Sequence, residues 1–451
     1  METKKQKIGN WFRTSISAKM FVVGFIFLLL LIPLGFVKDL IRERETRQAE
    51  VIQEINEKWG NEVVLYGPII KVPYKTYIEE KTFDEKTKSF LKTYQEVLNH
   101  AYFLPKTLDI TSEVTSKQLE RGIYESVVYT ADVDMKGKFS DFDFSTLDVP
   151  EEDIIWDRAT LLLQTSNLKG IRNEINVQLH TEEYTLKPRF DEAFMSTLES
   201  GFLADLSGTT SDTPFSFHIK INGSAALRFI PVGAETSVSM HSDWHSPSFN
   251  GNYLPNDESK KISAQGFEAY WTVLETNRQF GQQFFNHLPN LDKFAFGTSL
   301  IVPIDDYQKT ERTSKYGIMI IGLTLLVFLL IQIISKIAIH PFQYFMIGLA
   351  LVMFYTLLIS ISEHQNFLIA YVIAGVAVVG LITAYSKTIL KNRKFPLLIL
   401  GSLTALYAFI FVIIQLENYA LLVGSIGLFI ILGIVMFTSK KIDWSNTDLG
   451  E

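Results

Sequence analysis

Hydrophobic positions along this chain fall into two patterns. Six runs carry no charge in their interiors: Met20–Val37, Tyr316–Ser335, Pro341–Ser362, Phe367–Tyr385, Pro396–Leu416 and Tyr419–Thr438. About 20 consecutive apolar residues cross the roughly 30 Å hydrocarbon core as a helix, so each run predicts a transmembrane helix. Buried helices of soluble proteins are rarely this long and this free of charge. Short links join the last five runs, which predicts a compact bundle over residues 316–438.

Between the first and second runs the pattern changes twice. Residues 38–59 read as a helix continuing the first span, with Glu43–Arg47 and Glu54–Lys58 as i,i+4 pairs and Gly60 as a C-cap. It is polar over most of its surface, so it reads either as a stalk or as an element lying on the domain. After Gly60 the period becomes two. Glu62–Tyr66, Ile69–Pro73, His100–Phe103, Ile123–Val133, Thr160–Gln164, Glu174–His180, Phe215–Ile219 and Ser237–Ser242 are short and rich in Val, Ile, Tyr and Phe. Gly, Pro, Asn, Asp and Ser clusters separate them, which predicts a mostly antiparallel β architecture. Asn222-Gly223 and Lys136-Gly137 read as tight turns.

The expected fold is therefore an α+β membrane protein. Six transmembrane helices, one N-terminal and five C-terminal, flank a large β-rich, sandwich-like extracytoplasmic domain between the first and second. The length allows two sandwich-like halves, with a boundary near Pro188–Ser211.

Charge sets the expected orientation. Residues 1–19 form a basic tail with Lys4, Lys5, Lys7, Arg13 and Lys19. No small-x-small cleavage site follows Val37, so residues 20–37 read as an uncleaved signal anchor. Lys336, then Lys387, Lys391, Arg393 and Lys394, then Lys440-Lys441 fall in alternate links, whereas Glu363–Asn366 and Glu417–Asn418 hold no Lys or Arg. The excess of Lys and Arg in cytoplasmic links then puts both termini in the cytoplasm of a bacterial cell, including the tail 439–451. Residues 38–315 become periplasmic. Tyr316, Tyr344, Tyr385, Tyr419 and Trp444 sit near span ends, as interfacial aromatics do.

Composition narrows the chemistry. Residues 38–315 hold 30 Lys/Arg against 43 Asp/Glu, a net of −13. No basic face is concentrated there, which argues against a nucleic-acid partner. With no cysteine in the chain, disulfides, thiolate metal sites and cysteine nucleophiles are excluded. The sequence contains no Walker A loop, G-x-S-x-G elbow, HExxH or EF-hand loop. No catalytic residue, cofactor or metal site is assigned. His241 and His245 are the densest pair of potential metal ligands, but their surroundings read as strand end and loop rather than helix. Arg121-Gly122-Ile123-Tyr124-Glu125 reads as the opening of a strand. Arg121 and Glu125 would then share a face, as an ion pair or as a partner-binding edge. Phe267, Tyr270 and Trp271 read as core. Ionisable groups near hydrocarbon are costly and therefore informative. His340 and Gln343 read as a cap at a helix start with Pro341 in its first turn, Glu363-His364 as a helix end; either pair is alternatively a polar site facing the bundle or the β domain. Gln332 and Gln415 read as interhelical contacts.

Several of these segments together resemble the CreD family of bacterial inner-membrane proteins, also called cell envelope integrity proteins. They are Tyr66-Gly67-Pro68 with Pro73-Tyr74; Arg121-Gly122-Ile123-Tyr124 with Tyr129; Pro247-Ser248-Phe249 with Gly251 and Leu254-Pro255; and Gly266-Phe267 with Trp271. In the bundle come His340-Pro341-Phe342-Gln343-Tyr344, Ser362-Glu363-His364 with Phe367 and Ala370-Tyr371, Ala420-Leu421-Leu422 with Gly424-Ser425, and finally Asp443-Trp444. The resemblance covers nearly the whole chain in order. It implies a link to envelope integrity and to a response under a two-component sensor, with effects on colicin and β-lactam tolerance; it carries over no catalytic residue or cofactor. The expected function is thus an inner-membrane protein supporting envelope integrity through a periplasmic binding or scaffolding domain. Its expected partners are the lipid bilayer and an envelope protein or glycan. The rival readings are a membrane enzyme acting on lipid-linked or wall material at the outer face, and a transporter or channel.

Overall fold

The computed structural model describes residues 15–84, 89–140, 142–147, 149–190, 195–204, 206, 212–300, 306–390, 394–416, 419–440 and 442. They form two compact units, one of Met1–Glu50 with Ile304–Glu451, the other of Val51–Pro303.

In the first unit the apolar runs fold as helices. α1 is Ile16–Trp59, whose residues beyond Glu50 belong to the second unit. A polar helix, α2 (Asp306–Lys315), leads into α3 (Gly317–Ser335). α4 (Pro341–Ser362), α5 (Phe367–Ile389), α6 (Lys394–Gln415) and α7 (Ala420–Ser439) follow. Among the described residues six helices are long and apolar enough to cross a membrane. The sequence pattern assigns 306–315 to the β domain; instead they fold with the helices, burying Thr310, Thr313 and Ser314. Helices α4, α5 and α6 meet through buried aromatics, Phe354 lying 4.6 Å from Tyr407 and 5.3 Å from Tyr371 between ring centroids. Gln332 makes the expected interhelical contact, accepting from Tyr344 Oη at 2.5 Å. Gln415 does not: it is the last residue of α6 and is exposed.

The described residues of the second unit form seventeen strands. In chain order they are β1 (Val63–Asp84), β2 (Ser89–Phe103), β3 (Thr107–Arg121), β4 (Tyr124–Phe139), β5 (Thr160–Thr165), β6 (Asn176–Leu179), β7 (Glu182–Thr185), β8 (Lys187–Arg189) and β9 (Ser196–Glu199). Then come β10 (Thr213–Ser224), β11 (Ala226–Phe229), β12 (Glu235–Ser242), β13 (Pro247–Gly251), β14 (Lys261–Ser263), β15 (Gly266–Leu274), β16 (Gln283–Phe285) and β17 (Phe296–Leu300). One sheet runs β13-β17-β11-β1-β5-β9-β8, with β2 on β1 and β16 on β2; the other runs β14-β15-β12-β3-β4-β10-β6-β7. Among the described ladders only β1–β11 and β3–β12 are parallel. The inner faces share one core, in which Trp271 of the second sheet packs on Phe249 and Phe296 of the first. Two separate halves are therefore not what forms: β8 and β9, at the expected boundary, join the first sheet. Trp271 and Phe267 are core as expected, while Tyr270 is exposed.

Two expected turns are strand interiors. Gly137 lies within β4, where a Cβ would sit 2.0 Å from the Thr107 carbonyl oxygen; Gly223 lies within β10, where one would sit 2.3 Å from Tyr129 Oη. Glycine marks close approach here, not reversal. The chain reverses instead at Gly122, with φ +66.

Candidate functional site

The residues singled out by sequence do not converge. Arg121 closes β3 and Tyr124 opens β4, leaving Gly122-Ile123 as a two-residue hairpin loop. A glycine with positive φ in the first central position suits such a loop. Glu125 therefore stands opposite Glu120 on the neighbouring strand, and Arg121 pairs with Glu54 of α1 at 2.5 Å. With Lys58 alongside, the Arg121 hydrogen bond holds the Glu54 carboxyl down to about 2. Tyr129 is fully buried and donates from Oη to the Ala226 carbonyl at 2.6 Å, while Trp59 Nε1 donates to the Tyr129 carbonyl at 3.1 Å. Residues 51–59 of α1 thus lie on β4. This cluster holds the fold together.

His340 and Gln343 cap α4 reciprocally. His340 Nδ1 accepts from Phe342 N at 3.2 Å, Gln343 Oε1 accepts from His340 N at 2.9 Å, and Pro341 occupies the first turn. At the other end of α4, Glu363 faces Arg44 at 3.5 Å and His364 is exposed. A crevice of about 490 Å³ between α3, α6 and α7 is lined by apolar residues with Thr324 and Ser402, and by none of these four groups. His241 faces Glu268 at 3.8 Å, and Trp244 between the two histidines is buried. No group of three side chains set to hold a metal occurs among the described residues.

The convergent polar groups lie elsewhere, on the outer face of the first sheet. Alternation along β1, β5 and β9 sends Ile70, Val72, Leu161, Leu163 and Leu198 into the core. Their neighbours face the other way. Ladder pairing sets Lys71 between Tyr102 and Thr160, and Thr197 between Gln164 and Arg189. The segment 286–290 forms the opposite wall: Asn286 N donates to the His100 carbonyl at 2.8 Å, Tyr74 Oη to Asn286 Oδ1 at 2.8 Å, and Tyr66 Oη to the Pro289 carbonyl at 3.3 Å. The result is a cleft of about 330 Å³.

Beneath it an ion cluster is tightly held. Glu199 Oε1 accepts from Lys71 Nζ and Thr160 Oγ1, each at 2.7 Å, and Oε2 accepts from Arg189 Nη1 at 2.6 Å. Lys71 is only 8% exposed. Burial pushes the Glu199 carboxyl up, but the hydrogen bonds from Lys71, Thr160 and Arg189 outweigh it and leave the pKa below its usual value. Burial, then the charges of Lys71 and Arg189, push His100 down against the opposing pull of Glu199.

Both shifts make acid destabilising. The unfolded chain protonates His100 near its ordinary 6.5, above the folded value, so acidification below that point favours unfolding. The Glu199 cluster contributes stability above 4.5 that is lost as pH falls through its lower folded value. The melting temperature of the β unit, followed by tryptophan fluorescence from pH 7 down to about pH 4, is expected to fall in that order. A flat or rising profile would contradict the cluster.

One sequence signal did mark this place. Lys71 interrupts the apolar run Ile69-Ile70-Lys71-Val72, and a charge there needs a partner. The partner, 128 residues on, is invisible without the fold.

The family described as Inner membrane protein CreD matches this chain over residues 15–445. A relative from Escherichia coli (strain K12), Inner membrane protein CreD, is 27% identical over 429 residues, covering 92% of this chain and 91% of the relative. Neither name states an enzymatic activity.

Proposed function

Because the chain belongs to the CreD family of inner membrane proteins, we propose that its β unit stands on the periplasmic side and supports cell-envelope integrity by binding an envelope component. The six membrane-crossing helices anchor that unit in the inner membrane. The positive links support the orientation, with both termini cytoplasmic. One observation carries the binding reading: the polar cleft on the first sheet, with its cations fixed by Glu199 and its far wall tied down by Tyr66 and Tyr74. A preformed pocket with convergent polar groups is the usual form of a small-ligand site. No chemical step is assigned to it. His340 and Gln343 serve as a cap, Glu363 as half of an ion pair and Gln332 as an interhelical acceptor, which favours an anchor over a conduit.

A strain lacking the protein should plate less efficiently on detergent and on β-lactam than its parent, and the full-length chain should restore it. Equal plating of deletion and parent strains under every envelope challenge would count against the reading.

A further inference from the structure

We infer that two copies of this chain join through β2, edge to edge, in one continuous antiparallel ribbon centred on Tyr94.

The first sheet supplies the edge. β5 leaves β1 at Lys71, and beyond the bridge from Tyr74 to Ile154 the described ladders pair β1 with β2 alone, from Lys75 opposite Leu98 to Asp84 opposite Ser89. At about 3.4 Å per residue, this two-stranded ribbon runs for about 30 Å. Two strands by themselves are at best marginally stable in water. Tyr77, Ile78, Tyr94 and Leu98 on this ribbon are each more than half exposed.

The base of the ribbon fixes which backbone groups face outward. There the His100 carbonyl accepts from Asn286 N at 2.8 Å, and Leu104 N donates to the Gln282 carbonyl at 2.9 Å. Even-numbered residues of β2 therefore turn their N–H and C=O away from β1. The β1–β2 register runs without a bulge, so the alternation carries on to Leu98, Glu96, Tyr94 and Lys92. β16 covers this edge only over Ala101–Phe103; among the described ladders nothing pairs with it from Ser89 to Asn99.

An open edge invites strand addition, and the order of charges selects a second copy as the added strand. An antiparallel copy with its dyad at Tyr94 sets Tyr94 opposite Tyr94, Lys92 opposite Glu96 and Glu96 opposite Lys92. These pairs would exchange about six backbone hydrogen bonds. Lys92 and Glu96 are 58% and 52% exposed, held on this face by Glu79 and Lys75 of their own β1 at 2.8 and 3.0 Å. Thr93 would meet Gln95 on the other face. A dyad at residue 92 would oppose Lys92 to itself, and one at residue 96 Glu96 to itself; like charges directly opposite are unfavourable. Of the dyads from 92 to 96, only the central one brings the two charges together.

The test is disulfide trapping of the full-length protein in isolated membranes treated with copper phenanthroline, on a chain that has no cysteine of its own. Hydrogen-bonded antiparallel partners have Cα atoms about 5.5 Å apart, within reach of a disulfide. Tyr94→Cys should therefore yield a covalent dimer. Ile78→Cys, equally exposed but on β1, would have its copy three strand spacings away, about 14 Å, and should stay monomeric. Adding Lys92→Glu to Tyr94→Cys should slow trapping about tenfold or more, since two attractive pairs become repulsive. The charge swap Lys92→Glu/Glu96→Lys should restore it. No dimer from Tyr94→Cys, equal trapping of Ile78→Cys, a crosslink to a different protein, or a charge swap that fails to restore trapping overturns the inference. The interface needs no ligand in the cleft, so neither result bears on the envelope reading.

Discussion

Glu199→Ala is expected to lower the stability of the β unit by about 3–5 kcal/mol, because removing one partner of a buried pair leaves the other charge uncompensated. Lys71 is 8% exposed on the face opposite Ile70 and Val72, so without Glu199 its ammonium would be left largely desolvated at the cleft. Arg189 and Thr160 would each lose the bond to Glu199 as well. The double variant Lys71→Met/Glu199→Leu should recover much of the loss, since an apolar pair of similar volume is often neutral or better. The buried Trp244 and Trp271 provide the fluorescence signal for urea unfolding. A single Glu199→Ala variant as stable as the parent would mean that the cluster is solvated.

Gly137→Ala is expected to destabilise the second sheet by about 1–3 kcal/mol or more, the range for forcing extra atoms into a packed interior. The added methyl would meet the Thr107 carbonyl oxygen at 2.0 Å and the Phe215 ring at 2.7 Å. The first of these is backbone and cannot rotate away. The ladders from β4 to β3 and β10 both pass through this residue, which pairs with Leu108 and Phe215. Gly122→Ala, at the exposed hairpin loop with nothing within 4 Å of its Cβ, would suffer only from its positive φ. A Gly137→Ala variant with unchanged unfolding would show that the two strands are not so closely set.

These two sites also show what the sequence made legible. The membrane helices were readable because hydrocarbon demands long uncharged runs, and no soluble element imitates them. The β character was readable from period two. Strand lengths were not. β3 buries Leu108, Ile110, Ser112 and Val114 on one face but shows Asp109, Thr111, Glu113 and Thr115 on the other, so its sequence reads as polar loop. Gly137 and Gly223 look like turn residues unless the atoms they admit are known. Arg121 and Glu125 fit one strand face until Gly122 is seen to reverse the chain between them. The cleft was least legible, because Lys71, His100, Gln164, Arg189, Glu199 and His287 come from separate strands and one loop. Only sheet order brings them together.

The proposed placement of the β unit outside the inner membrane underlies the functional reading. The chain contains no cysteine, so single substitutions report on location without background. Leu254→Cys, at a position 70% exposed in the β unit, and Lys440→Cys, at the end of the last helix, can each be probed in intact spheroplasts with a membrane-impermeant maleimide. The account predicts labelling of Leu254→Cys at once and of Lys440→Cys only after permeabilisation. Labelling of Lys440→Cys in intact spheroplasts, with Leu254→Cys protected until lysis, would contradict it.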